Sequence, residues 1–147
     1  MSIYFYSTLE NEYGCFSNFS LHGFEVDGVY YKTSEHYFQA MKFIYSPDDM
    51  EAVRKASTPK RAASIGRDRK RPLRPDWEQV KNDVMRQGVL RKFETHADIR
   101  EILLATGDEE LVENAPNDYY WGIGKSGKGL NMLGKILMET RAILKGQ

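Results

Sequence analysis

The sequence predicts an α+β fold that is mostly helical, with a small β-sheet or hairpin. Three observations support this prediction. The 147 residues suit one compact domain, 1–147, with a single hydrophobic core. Helix-starting patterns and helical spacing of apolar residues recur from Thr33 to the C-terminus. Strand-like segments are short, and one pair flanks Asp27-Gly28, a dipeptide typical of hairpin turns.

The predicted strands lie near the N-terminus, and the first helix follows them. Residues 3–6 alternate and are largely aromatic, and residues 24–31 match two short strands around the hairpin turn. Thr33-Ser34 is a typical N-cap, and Glu35 suits the first turn of a helix. Since helical spacing continues from there, we expect this helix to reach about Tyr45.

Four further helices, one more strand and then a closing helix near the C-terminus complete the predicted elements. Ser46-Pro47 and Thr58-Pro59 each place proline at a first helical position, and the second of these helices stops near Gly66. Helical spacing then predicts helices over 76–95 and 97–105. A short strand at 111–112 and a closing helix at 130–144 follow. The side chains expected to face inward from the closing helix are Leu133, Ile136, Leu137 and Ile143.

Composition limits the kind of protein this can be. The 21 acidic and 21 basic residues balance, so no overall charge predicts a nucleic-acid or membrane partner. Cys15 is the only cysteine, which excludes an internal disulfide and a Cys/His zinc site of the usual type. The sequence has neither a signal-peptide pattern nor 18 consecutive apolar residues. We therefore expect a cytoplasmic protein without a membrane partner, metal or cofactor.

Three polar residues share one stripe of the first predicted helix. Glu35, Gln39 and Lys42 are spaced i, i+4 and i+7 on a helix that is otherwise apolar nearly all round. Because buried charge is unfavourable unless paired, Glu35 and Lys42 are expected to interact with each other, another charge or water. The stripe is therefore either an internal polar network or one wall of a polar cavity.

A second candidate group is a strongly basic segment between residues 54 and 74. Nine cationic side chains stand there against one acid, Asp68. Most would form a solvated basic face, but Arg67 to Arg74, bounded by Gly66 and Pro72, suits a phosphate because guanidinium groups bind it in a bidentate manner. The basic residues are Arg54, Lys55, Lys60, Arg61, Arg67, Arg69, Lys70, Arg71 and Arg74.

A third candidate group is the glycine-rich segment from Asp118 to Asn131. Its glycines, at 122, 124, 127 and 129, can let the backbone approach a ligand or form an anion-binding nest before the last helix. Trp121 can stack on a planar base while Asp118 acts at a sugar. The alternatives are a flexible loop and an indole that fills the core. The spacing matches no Walker loop or dinucleotide motif.

These segments, taken together, resemble the YbiA-like branch of the NADAR superfamily over nearly the whole chain. The resemblance depends on SEHYFQA with the following K and F, on D-YWG-G, and on G-N-LGK-LM, in that order. It implies a single YbiA-like domain and a metal-free N-glycosidase that removes reactive metabolites. The implied substrates are phosphoribosylated aminopyrimidine intermediates of riboflavin biosynthesis, which are small molecules.

The resemblance also implies site residues. Catalytic roles fall to Glu35, Lys42 and Asp118. A carboxylate, Glu35 or Asp118, would stabilise positive charge on the ribose or activate water, and Lys42 would act as an acid or as a Schiff-base nucleophile. The implied substrate-binding residues are Asn18, Arg67, Arg74, Trp121, Gly122, Gly124, Gly129 and Asn131.

Two other functions fit the same resemblance. One is removal of ADP-ribose from modified guanine, in which case ADP-ribosylated DNA or RNA would be the partner and the basic segment would hold the strand. The other is a non-catalytic sensor of ADP-ribose or a nucleotide. A buried Glu35 and Lys42 would be unfavourable for simple binding, which argues against the sensor.

Overall fold

A computed structural model describes residues 1–147, with six α-helices and two two-stranded sheets. The α+β class with an excess of helix is confirmed. In chain order the elements are β1 (Ser2–Phe5), β2 (Phe24–Val26), β3 (Val29–Tyr31), α1 (Ser34–Ala40), α2 (Pro47–Arg54), α3 (Pro59–Gly66), α4 (Trp77–Thr95), α5 (Ala97–Ala105), β4 (Glu110–Glu113) and α6 (Met132–Lys145), with 3₁₀ turns at Glu12–Phe16 and Met41–Phe43. None of the helices has the length and apolar character needed to cross a membrane.

The chain forms two compact units. The first contains residues 1–20 and 93–147, and the second contains residues 21–92. The single domain expected from the sequence stays a prediction.

The sheet of the first unit joins two strands that are distant in sequence. β1 and β4 pair in parallel, with Ser2 opposite Glu110 and Phe5 opposite Glu113. Buried rings lie beside this sheet, since Phe16 contacts Phe5 edge to face at 5.7 Å and lies 6.1 Å from Phe93. The sheet and these rings form part of the core of the first unit.

Helix α6 buries one face in the first unit. Leu133, Ile136 and Leu137 are fully buried, as predicted. The prediction for Ile143 is wrong, because that side chain is 49% exposed and Leu144 is buried instead. Leu144 lies seven residues after Leu137 and returns close to the middle of the buried face, whereas Ile143 lies seven residues after Ile136, at the edge of that face, and the drift of about 20° per seven residues carries it outward.

The sheet of the second unit is the predicted hairpin. β2 and β3 pair antiparallel, with Phe24 opposite Tyr31 and Val26 opposite Val29. Asp27 and Gly28 connect them with φ angles of 52° and 80°. Two successive residues with positive φ are typical of a type I′ turn, whose twist matches that of the strands.

Helix α1 begins where predicted but ends early. The Thr33 side chain caps it by accepting from the amide of His36 at 3.1 Å. Instead of continuing to Tyr45, the helix tightens into a 3₁₀ turn at Met41–Phe43. Arg74 explains the change, because its guanidinium donates to the carbonyl of Met41 and its amide donates to the carbonyl of Lys42.

Helices α2 and α3 begin at the predicted prolines. The Thr58 hydroxyl accepts from the amide of Arg61 at 3.0 Å and so caps α3. These helices pack with α1 and the hairpin around one apolar cluster. Its buried members are Phe24, Val26, Tyr31, Tyr37, Ala40, Phe43, Val53, Ala56, Ala62 and Ile65.

Candidate active-site residues and their geometry

Two members of the polar stripe, Glu35 and Gln39, are hydrogen-bonded to each other on α1 in the second unit. Glu35 and Gln39 are both buried, with 8% and 3% of their surface exposed. The Gln39 side-chain Nε2 donates to Glu35 Oε2 at 2.7 Å. A buried carboxylate is tolerated when such donors compensate for lost water.

Lys42 extends this stripe from the 3₁₀ turn. Its half-buried Nζ donates to the carbonyl of Gly66, at the end of α3, over 3.2 Å. The same Nζ lies 5.9 Å from the ring centre of Phe38 and 5.8 Å from that of Trp77. Those two rings contact each other edge to face at 5.0 Å. Lys42 therefore has an aromatic, partly dehydrated environment.

This environment lowers the pKa of Lys42 below its ordinary value of 10.5. Burial is the main cause, because removal from water disfavours the charged amine. The charge of Glu35 acts in the opposite direction and Arg67 lowers the pKa further, with weaker effects from Glu78, which raises it, and Lys81, which lowers it. The expected interaction between Glu35 and Lys42 is thus present as an electrostatic one.

The arginines predicted to bind phosphate differ in their surroundings. Arg74 forms a bidentate pair with Asp76, at 2.6 and 3.0 Å, so its guanidinium is already engaged. Arg71 pairs with Asp49 at 2.7 Å. Arg67, directly after α3, is exposed to solvent. Of the two arginines selected from the sequence, Arg67 is the one open to an anion.

In the first unit, Asp118 organises the glycine-rich segment. Its Oδ1 accepts from the amides of Tyr120 and Trp121, at 3.0 and 2.8 Å. This is the local turn that aspartate side chains commonly form. The rings of Tyr120 and Trp121 meet edge to face at 4.9 Å, and both remain partly exposed. Asp118 therefore orients the Trp121 backbone.

The start of α6 is bonded to this segment. The amides of Met132 and Leu133 donate to the carbonyls of Tyr120 and Trp121, each at 3.0 Å. Amides at a helix start are the usual donors to a bound phosphate. Here two of them hold the preceding loop instead, so they give no support to the anion nest that the sequence suggested.

Three of the predicted ligand-binding glycines are required by packing within the loop. A Cβ at Gly122 would lie 2.9 Å from the carbonyl oxygen of Glu113, and one at Gly129 would lie 2.5 Å from that of Gly122. Gly124 has a φ of 66° and would collide with the Tyr119 ring if it carried a side chain. Close approach of the loop to itself thus accounts for these three glycines.

Asn131 links the glycine-rich segment to β4. It adopts a left-handed conformation, with φ 53° and ψ 41°. Its Oδ1 accepts from the amide of Glu113 and its Nδ2 donates to the carbonyl of Leu111, both at 2.9 Å. Its assignment to substrate therefore depends on the family resemblance alone. Asn18 lies shortly after the first 3₁₀ turn and is half-buried.

The structure groups the predicted residues by unit. Glu35 and Lys42 interact in the second unit, with Arg67 close enough to affect the amine. Asp118, Trp121 and Asn131 belong to one loop of the first unit. No group of three or more His, Cys, Asp or Glu side chains is placed to hold a metal ion.

Sequence reasoning missed the role of Gly66, which accepts from Lys42. The sequence marked Gly66 only as a helix end, and no local signal identified its partner. A small apolar pocket of about 150 Å³ in the second unit contains none of the predicted site residues. Its lining is Val29, Tyr31, Pro47, Met50, Glu51 and Arg54.

Comparison with known proteins decides the family. The model of the NADAR domain matches residues 4–145. The chain belongs to the NADAR family. It is 54% identical to an N-glycosidase of Nostoc punctiforme, over 96% of this chain and 91% of that protein. It is 52% identical to the N-glycosidase YbiA of Escherichia coli, over 95% of this chain and 86% of that protein.

The NADAR assignment extends to three-dimensional structure. The NMR structure of E. coli YbiA matches with a TM-score of 0.89 and 51% identity, covering 99% of this chain and 87% of that one. A maize protein named riboflavin biosynthesis protein PYRR, chloroplastic, is 39% identical over 98% of this chain and 25% of its own length. The family predicted from the sequence motifs is confirmed, and two relatives carry the predicted N-glycosidase name.

Proposed function

We propose that this NADAR protein is an N-glycosidase that hydrolyses the C–N glycosidic bond of phosphoribosylated aminopyrimidine intermediates of riboflavin biosynthesis. The names of the Nostoc and E. coli relatives support the reaction, and the name of the maize relative supports the pathway. The observation that carries the proposal is a half-buried Lys42, with a lowered pKa, beside the buried carboxylate of Glu35.

Glu35 suits the electrostatic part of this reaction. Cleavage of a glycosidic C–N bond builds positive charge on the anomeric carbon, which a nearby carboxylate stabilises. Glu35 is buried, so its field is weakly screened, and the Gln39 amide holds one of its oxygens. These features favour Glu35 over Asp118, whose Oδ1 already accepts from two backbone amides.

Lys42 suits either of two roles. As a general acid, its ammonium gives a proton to the departing nitrogen. As a nucleophile, its neutral amine attacks the anomeric carbon of the ring-opened imine, and the aminopyrimidine leaves with its amine restored. Water then hydrolyses the lysine imine to ribose phosphate and free Lys42. The lowered pKa of Lys42 increases the neutral fraction that this second route requires.

Substrate binding is proposed for residues outside the Glu35 and Lys42 pair. Exposed Arg67 would hold the phosphate, since guanidinium binds phosphate in a bidentate manner. Partly exposed Trp121 would stack on the base or sugar, and Asn18 would bind hydroxyl groups. The turn at Asp118 supports a role for that residue in orienting Trp121.

The proposal is tested by incubating the protein with a phosphoribosylaminopyrimidine and separating the products. Release of the free aminopyrimidine is expected, and Lys42→Ala should reduce the rate by about 100-fold or more. A sugar adduct on Lys42 trapped with borohydride identifies the nucleophilic role. Turnover by Lys42→Ala at the unaltered rate would exclude both roles for Lys42.

Removal of ADP-ribose from guanine is the competing substrate assignment. The exposed basic residues from Arg67 to Lys70 favour a polyanionic substrate. A parallel incubation with an ADP-ribosylated guanine oligonucleotide separates the two assignments. Release of ADP-ribose together with no reaction on the aminopyrimidine would replace the proposed substrate with this one.

A further inference from the structure

The buried end of the Gln39 side chain is used asymmetrically. Its Nε2 donates to Glu35 Oε2 at 2.7 Å, whereas its Oε1 is buried without a hydrogen-bond partner. Turning the amide round would place a carbonyl oxygen against a carboxylate oxygen, which is repulsive. The position of Glu35 therefore fixes the orientation of this amide.

Gly66 packs against the other side of the same amide. A Cβ at Gly66 would overlap Gln39 Oε1 and would lie 2.6 Å from Gln39 Cδ, so only hydrogen fits there. The α-hydrogen of Gly66 points at Oε1, an arrangement that gives a weak C–H···O contact. Gln39 is thus held between the Gly66 backbone and Glu35.

Gly66 also holds Lys42, because its carbonyl accepts from Nζ at 3.2 Å. Gly66, at the end of α3, therefore contacts the candidate catalytic residue Lys42 and also Gln39, which bonds the other candidate, Glu35. Gly66 thus fixes the position of the Lys42 side chain directly and that of Glu35 through Gln39.

A space-filling role explains Gln39 poorly. Burying an unsatisfied carbonyl oxygen is unfavourable, and an apolar side chain of similar size would fill the same volume without that cost. The amide is explained by its one strong bond, to the carboxylate of Glu35.

We infer that Gln39 is a positioning residue. It fixes the position of the ionised carboxylate of Glu35 for the reaction, while Gly66 keeps the Gln39 and Lys42 side chains in place. This inference depends on the proposed N-glycosidase function. Gln39 acts through Glu35 and needs no contact with substrate.

The test compares the unaltered protein with Gln39→Leu, which keeps the approximate volume and removes the donor. Gln39→Met serves if the leucine variant folds poorly, since methionine adapts to irregular space. The kinetic constants kcat and KM are measured with a phosphoribosylaminopyrimidine as substrate across a range of pH. We expect kcat to fall by about 10- to 100-fold, because small displacements of catalytic groups cost this much.

Two further readouts separate positioning from packing. KM should change by less than about threefold, since substrate contacts are retained. The acid limb of the kcat/KM profile should move to higher pH, because the lost donor favoured the ionised carboxylate. Lys42 and the charges that act on it, Arg67, Glu78 and Lys81, are the same in every variant, so a displaced limb reports on Gln39.

Gly88→Ala is the matched control in the same unit. A Cβ there would lie 2.8 Å from the Tyr37 ring, so the change crowds α1 without touching Glu35 or Gln39. It should lower the unfolding midpoint and leave the acid limb in place. If Gln39→Leu gives the unaltered kcat, or a lower kcat with an unmoved limb, the inference is wrong while the proposed function stands. If the unaltered protein releases no aminopyrimidine, the proposed function fails and the inference fails with it.

Discussion

The Nζ atom of Lys42 donates a hydrogen bond to the carbonyl of Gly66, 24 positions further along the chain, over 3.2 Å. The bond joins the 3₁₀ turn after α1 to the last residue of α3. A neutral amine that donates to a fixed carbonyl directs its lone pair elsewhere. The contact therefore orients the form of Lys42 that a nucleophilic route requires.

The charges around Lys42 give a test of its lowered pKa. Glu78→Gln removes a charge that raises this pKa, and Lys81→Gln removes one that lowers it. The two variants should therefore move the pKa of Lys42 in opposite directions, Glu78→Gln downward and Lys81→Gln upward. The measurement is the pH dependence of Lys42 acetylation, followed by mass spectrometry.

Lys60→Gln provides the control for that experiment. Lys60 is a cation of the same unit and is not among the charges acting on Lys42. It should leave the titration of Lys42 in place. Shifts of equal sign in Glu78→Gln and Lys81→Gln would contradict the electrostatic explanation.

Asn131 is expected to be a determinant of stability. Asn131→Ala removes both bonds to β4 and places alanine in a left-handed conformation, so the free energy of unfolding should fall by about 2–4 kcal/mol. Asn131→Gly keeps the conformation and should lose about 1 kcal/mol less. Chemical denaturation measures both. A raised KM with unchanged stability would instead indicate a direct role in substrate binding.

His36 should make stability depend on pH. Burial lowers its pKa below 6.5, against the effect of the Ala56 carbonyl, and Lys32 lowers it further. As the pH falls below 6.5, His36 binds a proton in the unfolded chain before it does so in the folded chain. The free energy of unfolding therefore decreases as the pH falls below 6.5. Urea midpoints should therefore fall as the pH is lowered from about 7 to about 5.

Replacement of His36 isolates that contribution. His36→Gln should have a flatter dependence of the urea midpoint on pH than the unaltered protein. Equal slopes in the unaltered protein and His36→Gln would show that His36 does not titrate differently on folding.

Gly134 marks the close approach of α6 to β4. Gly134→Ala would overlap the carbonyl oxygen of Leu111, which belongs to the backbone of β4 and cannot move freely. The free energy of unfolding should fall by about 2–3 kcal/mol. Gly146→Ala is the control, since its nearest atom would be 3.6 Å away and its effect should stay within about 0.5 kcal/mol. Similar midpoints for both variants would refute the crowding.

Local chemistry predicted most elements of this fold. Asp27-Gly28 located the hairpin and Thr58-Pro59 located α3, because turn and cap preferences act within a few residues. The early end of α1 depends on Arg74, more than 30 positions away from Met41, and helical periodicity contains no such information. The parallel pairing of β1 with β4 joins segments over 100 residues apart for the same reason.

The sequence predicted which residues of the candidate site share a helix stripe, but not which of its charged groups are paired. Spacing alone grouped Glu35 with Lys42, because helix geometry places such residues on one stripe. It did not show that Arg74 is engaged by Asp76, since a basic segment does not reveal which of its members are paired. The residues alone predicted a polar region suited to phosphate, and only the resemblance to NADAR proteins led to the prediction of glycosidic cleavage.

The hydrogen bonds between residues 119–122 and residues 130–133 separate the glycine-rich segment into a base and a tip. Four amides of the second stretch donate to four carbonyls of the first, at 2.8–3.0 Å. Residues 125–128 lie beyond this base and are all exposed. During evolution the tip can therefore change in length and charge while α6 keeps its starting point. Lys125 and Lys128 stand where such divergence would be tolerated most easily.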